Sequence, residues 1–361
     1  MIKVLYLINY AGKAGTEKYV YNLSKKYHKN GAECFFVYNE EGPLCEQIRE
    51  LGITPKKIVM RKPFDFKAAK ELADYCRENN IDVIHAQYPR ENYIAILSKL
   101  FYKKVKVIYT SHLTISTGIV WKITNTIMTR KNHKIISVCN YGKELLIGNG
   151  FPKNNIEVIF NGVEDAEIKK PEEGYKSSLG IDDDALVLSI LARYEESKGL
   201  DFLVESIKRL KEITDKKFCL LIAGDGVTYQ QIEKLIENYG LKGTIKQLGF
   251  TKDTAKILAI SDIYINSSKC LEALSFAMVE ALLNGLPIVA TNIGGNPDIV
   301  SDKNKCGTLV EYGDVEGMAY AIKEFLENDE KRREYSKNAA LAAKTVFNLD
   351  KLLDKTFKFY M

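Results

Sequence analysis

The chain has 361 residues, a length at which one hydrophobic core usually gives way to two domains. Its hydrophobic share of 46% is that of a soluble globular protein, and no uninterrupted apolar run approaches the ~20 residues that span a bilayer. The seven cysteines, Cys34, Cys45, Cys76, Cys139, Cys219, Cys270 and Cys306, are scattered without a C-x-x-C pair, which favours buried free thiols over disulfides or zinc.

The net charge of +5 conceals an asymmetry. Residues 1–164 carry 25 Lys/Arg against 15 Asp/Glu, a balance of +10, and the remainder carries 27 against 32, a balance of −5. A basic half beside an acidic half suggests that the first half meets something anionic. The opening "MIKVLYLINYAG" sets Lys3 inside a short apolar run and has no cleavage site, so the expectation is a cytoplasmic protein without a leader.

In chain order, β-branched and aromatic runs alternate with helical spacing. The first half reads "KVLYLINY", "ECFFVY", "KKIVM", "DVIHAQ", "KVIYTSH", "KIISVC" and "IEVIFNGV" as strands. Between the first two, Tyr19, Val20, Leu23 and Tyr27 repeat at helical spacing until Gly31 stops the helix. A polar linker follows, and the pattern restarts with "LVLSILAR", "KFCLLIAG", "IKQLG", "DIYINSS", "PIVAT" and "GTLVE". Such alternation implies α/β architecture, with two Rossmann-like, doubly wound parallel-sheet domains facing across a cleft. The expected boundaries are 1–164 for the first domain, 165–184 for the linker and 185–345 for the second. A closing helix at about 346–361 is expected to pack back on the first.

Ligands of such sheets bind outside the carboxyl ends of strands. After the first strand, Gly12 and Gly15 precede a helix near Thr16, where backbone N–H groups approach an anion; any strand-to-helix turn has the same look. His112 ends the fifth strand, placed to bond a substrate hydroxyl or to satisfy a neighbouring carbonyl. His85 reads as core, and His28 and His133 as surface. Arg193 and Lys198 follow the first strand of the second half and offer charge-assisted hydrogen bonds to a diphosphate. Gly224 and Gly226 bracket a turn where backbone can approach a phosphate or base.

The segment "INSSKCLEALSFAMVEALLNGLPIVATNIGG" contains the sharpest signal. Ser275 reads as the N-cap of a helix that Gly285 stops. Glu272 then lies in the loop before the helix and Glu280 inside it. A carboxylate accepts two hydrogen bonds side by side, as adjacent hydroxyls of a ribose or hexose require. The first-turn N–H groups favour an anion. A nucleotide-sugar fits this row. The plainer reading, a surface salt bridge for Glu280, sits badly with its apolar neighbours Met278, Val279, Ala281 and Leu282.

With these residues in place, the chain resembles the retaining GT-B glycosyltransferases of family 4 along nearly its whole length. "EALSFAMVE" is similar to their E-x7-E signature, "AGTE" to a Gly-Gly-x-Glu loop, "TSH" to the segment of a cleft histidine and "ARYEESKG" to an Arg…Lys pair. The resemblance implies that Glu280 binds ribose hydroxyls and Glu272 donor-sugar hydroxyls. It implies that Arg193 and Lys198 hold the diphosphate as it leaves, and that main-chain groups of Leu274, Ser275 and Phe276 approach sugar and phosphate. His112 would contact the transferring sugar and Gly15 the phosphate or acceptor edge. It further implies a metal-independent hexosyl- or N-acetylhexosaminyltransferase without cofactor, with a UDP-sugar as favoured donor and a carbohydrate or lipid-linked acceptor in cell-surface polysaccharide or glycolipid synthesis. No Asp-x-Asp suited to a catalytic metal is apparent, and no nucleic-acid partner is expected.

Three residues depart from the pattern. Glu272-Ala273-Leu274-Ser275 stands where Glu-Gly-Phe-Gly is common, Ala14 replaces a glycine, and Asp298 replaces a glutamate. Ala273 and Ala14 keep a catalytically silent partner subunit open as an alternative, and the shared fold keeps open a nucleotide-sugar 2-epimerase-like enzyme, which needs an acid–base pair around the sugar's C2. A nicotinamide dehydrogenase is least favoured, because no G-x-G-x-x-G follows a strand. Between Arg90 and Lys134, nine basic residues face one acid, Glu91, with Tyr93, Ile94, Leu97, Leu100, Phe101, Tyr102, Trp121, Ile123 and Ile127 interleaved. Part of that set belongs to the core, but the one-sided charge suggests peripheral attachment to the anionic inner face of the membrane.

Overall fold

The structure, a computed structural model, describes residues 1–112, 115–164, 172–270 and 272–361. The chain divides into two compact units, Met1–Asn161 with Asp350–Met361, and Gly162–Leu349. Residues 165–171 of the expected linker lie outside the described residues.

The first unit holds, in order, β1 (Ile2–Tyr10), α1 (Gly15–Tyr27), β2 (Ala32–Glu40), α2 (Pro43–Glu50), β3 (Pro55–Lys57), α3 (Phe66–Glu78), β4 (Val83–Ala86), α4 (Pro89–Ser98), β5 (Lys106–Ser111), α5 (Ile119–Met128), β6 (Lys134–Ser137), α6 (Asn140–Gly148) and β7 (Ile156–Val158). The second holds α7 (Tyr175–Ser178), β8 (Leu186–Leu191), α8 (Leu200–Ile213), β9 (Phe218–Ala223), α9 (Tyr229–Asn238), β10 (Ile245–Gly249), α10 (Thr254–Ala259), β11 (Ile263–Asn266), α11 (Phe276–Leu283), β12 (Ile288–Thr291), α12 (Asn296–Ile299), β13 (Gly307–Val310), α13 (Val315–Glu327) and α14 (Asp329–Thr345). The last helix, α15 (Leu349–Lys358), leads back to the first unit.

Each unit is built on a parallel sheet, ordered β3-β2-β1-β4-β5-β6-β7 and β10-β9-β8-β11-β12-β13. Helices cover such sheets on both faces, so inner strands are apolar throughout instead of alternating. Val4 to Ile8 of β1 are all fully buried, as are Val187 and Leu188 of β8 and all of β12 from Ile288 to Thr291. In both units the strand order reverses beside the first strand, at β1/β4 and at β8/β11. These are the switch points where open α/β sheets leave a crevice.

The C-terminal segment is tied to the first unit by specific side chains. Tyr27 stacks on Phe357 at 4.1 Å, Lys26 pairs with Asp354 at 2.8 Å, and the hydroxyl of fully buried Tyr360 bonds His85 Nδ1 at 2.7 Å. Thr110 Oγ1 takes the other ring nitrogen of His85, also at 2.7 Å, so the expected core histidine is fully satisfied.

Some details depart from the sequence reading or refine it. The strand read in "KKIVM" is only Pro55–Lys57, and that read in "IEVIFNGV" only Ile156–Val158. Cys270 is exposed, whereas the other six cysteines are buried. His28 is half-buried and accepts the Cys34 N–H at 3.2 Å. In α5 the polarity is inverted: Ile119, Val120, Ile123 and Ile127 are 69%, 71%, 56% and 64% exposed, and Asn125 is the buried residue. Hydrogen bonds help attach this helix, beside the packing of Trp121 on Phe64 and Tyr93. Asn125 Oδ1 accepts from the Tyr93 hydroxyl, and its Nδ2 donates to Asn149 O at 2.8 Å.

Candidate active site

In the second unit the loops after β8 and β11, which flank the switch point, are knitted together by backbone. Lys269 N–H donates to Ser197 O at 2.8 Å, and Ser267 Oγ to Lys198 O at 2.8 Å. Gly199 lies at φ +59°, and a Cβ there would come within 2.2 Å of Ser267 O. Only glycine permits both the left-handed turn and this approach. The consequence is chemical. Lys198 Nζ reaches Glu272 Oε2 at 2.7 Å, and Ser268 Oγ donates to the same oxygen at 2.8 Å.

Ser268 is in turn pinned from below. Its N–H donates to Asn266 Oδ1 at 3.2 Å, and its carbonyl accepts from Thr291 Oγ1 at 2.7 Å. Fully buried Asn296 bonds Asn266 Oδ1 at 3.1 Å. The Gly-Gly segment completes the frame, since a Cβ on Gly294 (φ +58°) would stand 1.9 Å from Glu272 O, which accepts the Gly295 N–H at 3.1 Å. Sequence reasoning had no signal for Ser268, Asn266 or Asn296, because short polar side chains after a strand are commonplace.

Arg193, just beyond β8, is differently held. It pairs with Glu195 at 2.7 Å while its side chain is 74% exposed, a surface contact worth about 0–1 kcal/mol and easily exchanged for a stronger anion. The turn of Gly224 and Gly226 wraps around this residue. A Cβ on Gly224 would meet Ala192 O at 1.9 Å, and one on Gly226 would meet Tyr194 O at 2.5 Å. At both glycines the absent Cβ leaves room for the protein's own backbone. Tyr194 N–H donates to Asp225 O at 2.9 Å, which sets the Arg193 backbone.

Ser275 caps α11, accepting the Met278 N–H at 3.4 Å, with Leu274 buried before it and Phe276 half-buried as the first helical residue. Glu280 is half-buried in the middle of the helix. The Tyr264 hydroxyl ties Glu280 and Glu272 to one neighbourhood: burial raises its pKa most, and the charges of Glu280 and Glu272 raise it further.

His112 and Gly15 belong to the first unit. Gly15 opens α1. His112 follows β5, its ring 5.1 Å from Tyr19 and its Nε2 2.9 Å from Gln87 Oε1. Gln87 Nε2 donates to His85 O, which turns the amide oxygen toward His112. Nε2 of His112 therefore carries the proton, and Nδ1 is an acceptor with no partner among the described residues. Burial pushes the His112 pKa down to about 3, so the ring is neutral at neutral pH. Among the described residues, no cluster of three or more His, Cys, Asp or Glu side chains is placed to hold a metal ion.

Comparison with known proteins bears on both units. Residues 14–167 match the model of Glycosyltransferase Family 4, and residues 171–342 that of Glycosyl transferases group 1. The chain is 24% identical to N-acetyl-alpha-D-glucosaminyl L-malate synthase of Bacillus anthracis over 96% of its length and 92% of that protein's. It is 26% identical to a Campylobacter jejuni N-acetylgalactosaminyltransferase acting on a diphospho-undecaprenol-linked sugar, over 79% of the chain and 77% of that protein. Among solved structures, a glycosyltransferase from Rickettsia africae superposes with TM-score 0.88 at 22% identity, covering 99% of this chain and 98% of that one. Anabaena HepE in complex with UDP superposes with TM-score 0.85 at 18% identity, covering 99% of each. The fold is therefore GT-B.

Proposed function

The chain belongs to the group 1, family 4 glycosyltransferases, retaining enzymes that use a nucleotide-sugar donor, and from that premise we propose what it transfers. It moves a hexose or N-acetylhexosamine from a UDP-sugar to a carbohydrate or lipid-linked acceptor in cell-surface polysaccharide or glycolipid synthesis. The observation that carries this reading is the Lys198–Glu272 contact at the β8/β11 switch point, with Arg193 on the same loop after β8. Two cations meet a diphosphate there, and a carboxylate meets the sugar next to it. The solved HepE complexes with UDP and UDP-glucose support UDP as the nucleotide.

Chemistry follows from the geometry. Lys198 Nζ has three N–H donors and spends one on Glu272, which leaves others for the diphosphate. Both contacts to Glu272 fall on Oε2, and Oε1 is left for a sugar hydroxyl. As the sugar departs, negative charge grows on the diphosphate. Lys198, held in place before reaction, stabilises that charge without reorganising. Arg193 joins by exchanging its weak partner Glu195. Glu280 takes the ribose hydroxyls, and Leu274, Ser275 and Phe276 present main chain to sugar and phosphate. In the first unit, neutral His112 contacts the transferring sugar, and Gly15 borders the phosphate or acceptor.

The acceptor side has its own support. The exposed apolar residues of α5 are flanked by Lys122, Arg130 and Lys131, a composition that suits an anionic membrane surface. No helix among the described residues is long and apolar enough to cross a membrane. The membrane attachment proposed here is peripheral, through α5.

The test is a panel of UDP-, GDP- and ADP-sugars in excess EDTA, read by nucleotide release, anomeric configuration of the product and thermal shift. One UDP-sugar should be consumed with retention and, at a hundred times its dissociation constant, add about 2.7 kcal/mol of stability. Activity lost to EDTA and restored by manganese would refute the metal-independent design.

A further inference from the structure

Gln87 stands one residue beyond β4, and His112 one residue beyond β5. The two strands are neighbours, with His85 opposite Ile108 and Ala86 opposite Tyr109, so the two side chains leave adjacent strand ends. Gln87 is only 1% exposed, and its own N–H donates to Leu7 O of β1 at 3.1 Å. One neighbouring strand thus fixes its backbone, and the other receives its side chain. A buried amide is stable where both of its ends find partners, and Gln87 uses both.

Those ends differ in kind. Nε2 donates to His85 O at 3.2 Å, and Oε1 faces His112 Nε2 at 2.9 Å. Turned the other way, Oε1 would face a carbonyl oxygen, two acceptors with no proton between them. The His85 carbonyl therefore decides which end of the amide meets the imidazole. The amide oxygen only accepts, so the proton of the neutral ring sits on Nε2. The ring plane has a second support in Tyr19, whose ring stands 5.1 Å away at 70° to it and whose hydroxyl bonds Thr356 Oγ1 at 3.3 Å. A glutamate at this position would set a carboxylate against the His85 carbonyl, and an asparagine falls one methylene short of the same reach.

We propose that Gln87 is a positioning residue for sugar transfer, holding His112 as the Nε2–H tautomer with its ring plane fixed at the end of β5. The proposal rests on the reading of His112 as a contact of the transferring sugar and adds the group that acts through it. Almost wholly enclosed, Gln87 works on the ring and not on the sugar. With the amide in place, His112 meets the sugar as a neutral ring of one orientation. Without it, the two tautomers compete and the ring is free to turn. The effect belongs to the step that moves the sugar and not to nucleotide binding, because Arg193, Lys198 and Glu280, proposed for the nucleotide, stand in the second unit.

The chain has four histidines, so isotope-labelled histidine gives a readable set of imidazole signals in NMR. Long-range nitrogen–proton correlation distinguishes the tautomers, and the set lost in His112→Asn is assigned to His112. In the parent without donor, His112 should be wholly the Nε2–H form at neutral pH. In Gln87→Met, which keeps the length of the side chain without the amide, both tautomers should be populated, while His85, held by Tyr360 and Thr110, keeps its signals. With the UDP-sugar that the donor panel identifies, Gln87→Met should turn over about tenfold more slowly at saturation, its donor Kd staying within about threefold of the parent's. Parent His112 in the Nδ1–H form would overturn the proposal even if the variant does not fold. Unchanged His112 signals in folded Gln87→Met, turnover at the parent rate, or a loss that falls on donor binding would each overturn it as well. Absence of turnover with every UDP-sugar would overturn the transferase reading instead, and the tautomer signals, recorded without donor, tell the two failures apart.

Discussion

Acid should loosen the first unit through His85, and the amount follows from its surroundings. The imidazole is fully buried, bonded by Tyr360 and Thr110, and burial, helped by nearby His112, pushes its pKa down to about 3. An unfolded histidine titrates near 6.5, so between those values the unfolded chain binds a proton that the folded chain refuses. Stability from this group is therefore present above about pH 6.5 and is lost as pH falls toward 3. From pH 7 to 5.5 the loss is about 1 kcal/mol, and it grows further as pH falls. His85 and His112 both pack on Tyr19, so the effect reaches the proposed sugar contact. The assay is urea unfolding of the parent and of His85→Gln at pH 7 and 5.5, followed by Trp121 fluorescence. The variant starts lower but should lose about 1 kcal/mol less between the two pH values. If the two proteins lose equal stability within about 0.3 kcal/mol, His85 is not the acid-sensitive group and the reasoning fails.

Two further outcomes concern backbone and surface. Gly224→Ala places a methyl 1.9 Å from Ala192 O at φ +144°, and should destabilise the second unit by at least about 3 kcal/mol in thermal unfolding, whereas Gly243→Ala, with nothing within 4 Å, should be nearly silent; equal melting of the two would contradict the packing described. On sedimentation with liposomes, the parent should pellet with anionic but not neutral lipid at low salt and be released at high salt, and Ile123→Asp in α5 should stay in the supernatant. Recovery of the parent in the supernatant under every condition would remove the membrane from the account.

The alternation of strands and helices was plain in the sequence because buried parallel strands are apolar on both faces, as in "VLYLI" and "IVAT". The helix after Glu272, with Ser275 as its cap, was equally legible, since capping leaves a local signature. Edge strands were not. β3 and β7 each have one neighbour and stop after three residues, where apolar composition alone suggested more. Helix α5 was legible only in part: helical spacing of apolar residues says which share a face, not whether that face turns inward. Of the interleaved set, Tyr93, Ile94 and Leu97 are core, whereas Ile123 and Ile127 are exposed. At the site, the sequence showed Lys198 and Glu272 as separate groups after separate strands. Their contact depends on Lys198 meeting Ser267 and Glu272 across 69 and 74 positions, which no local pattern encodes.

The central claim is that Lys198, fixed by Glu272 and Ser268, stabilises the departing diphosphate. Its most direct test is a single-turnover measurement of Lys198→Ala at saturating donor, beside donor dissociation constants for parent and variant. The rate at saturation should fall by about a hundredfold or more, while donor affinity changes by less than about tenfold, because the lost interaction strengthens as charge develops. A variant that turns over at the parent rate would contradict the role assigned to Lys198 and, with it, the chemistry proposed for this site.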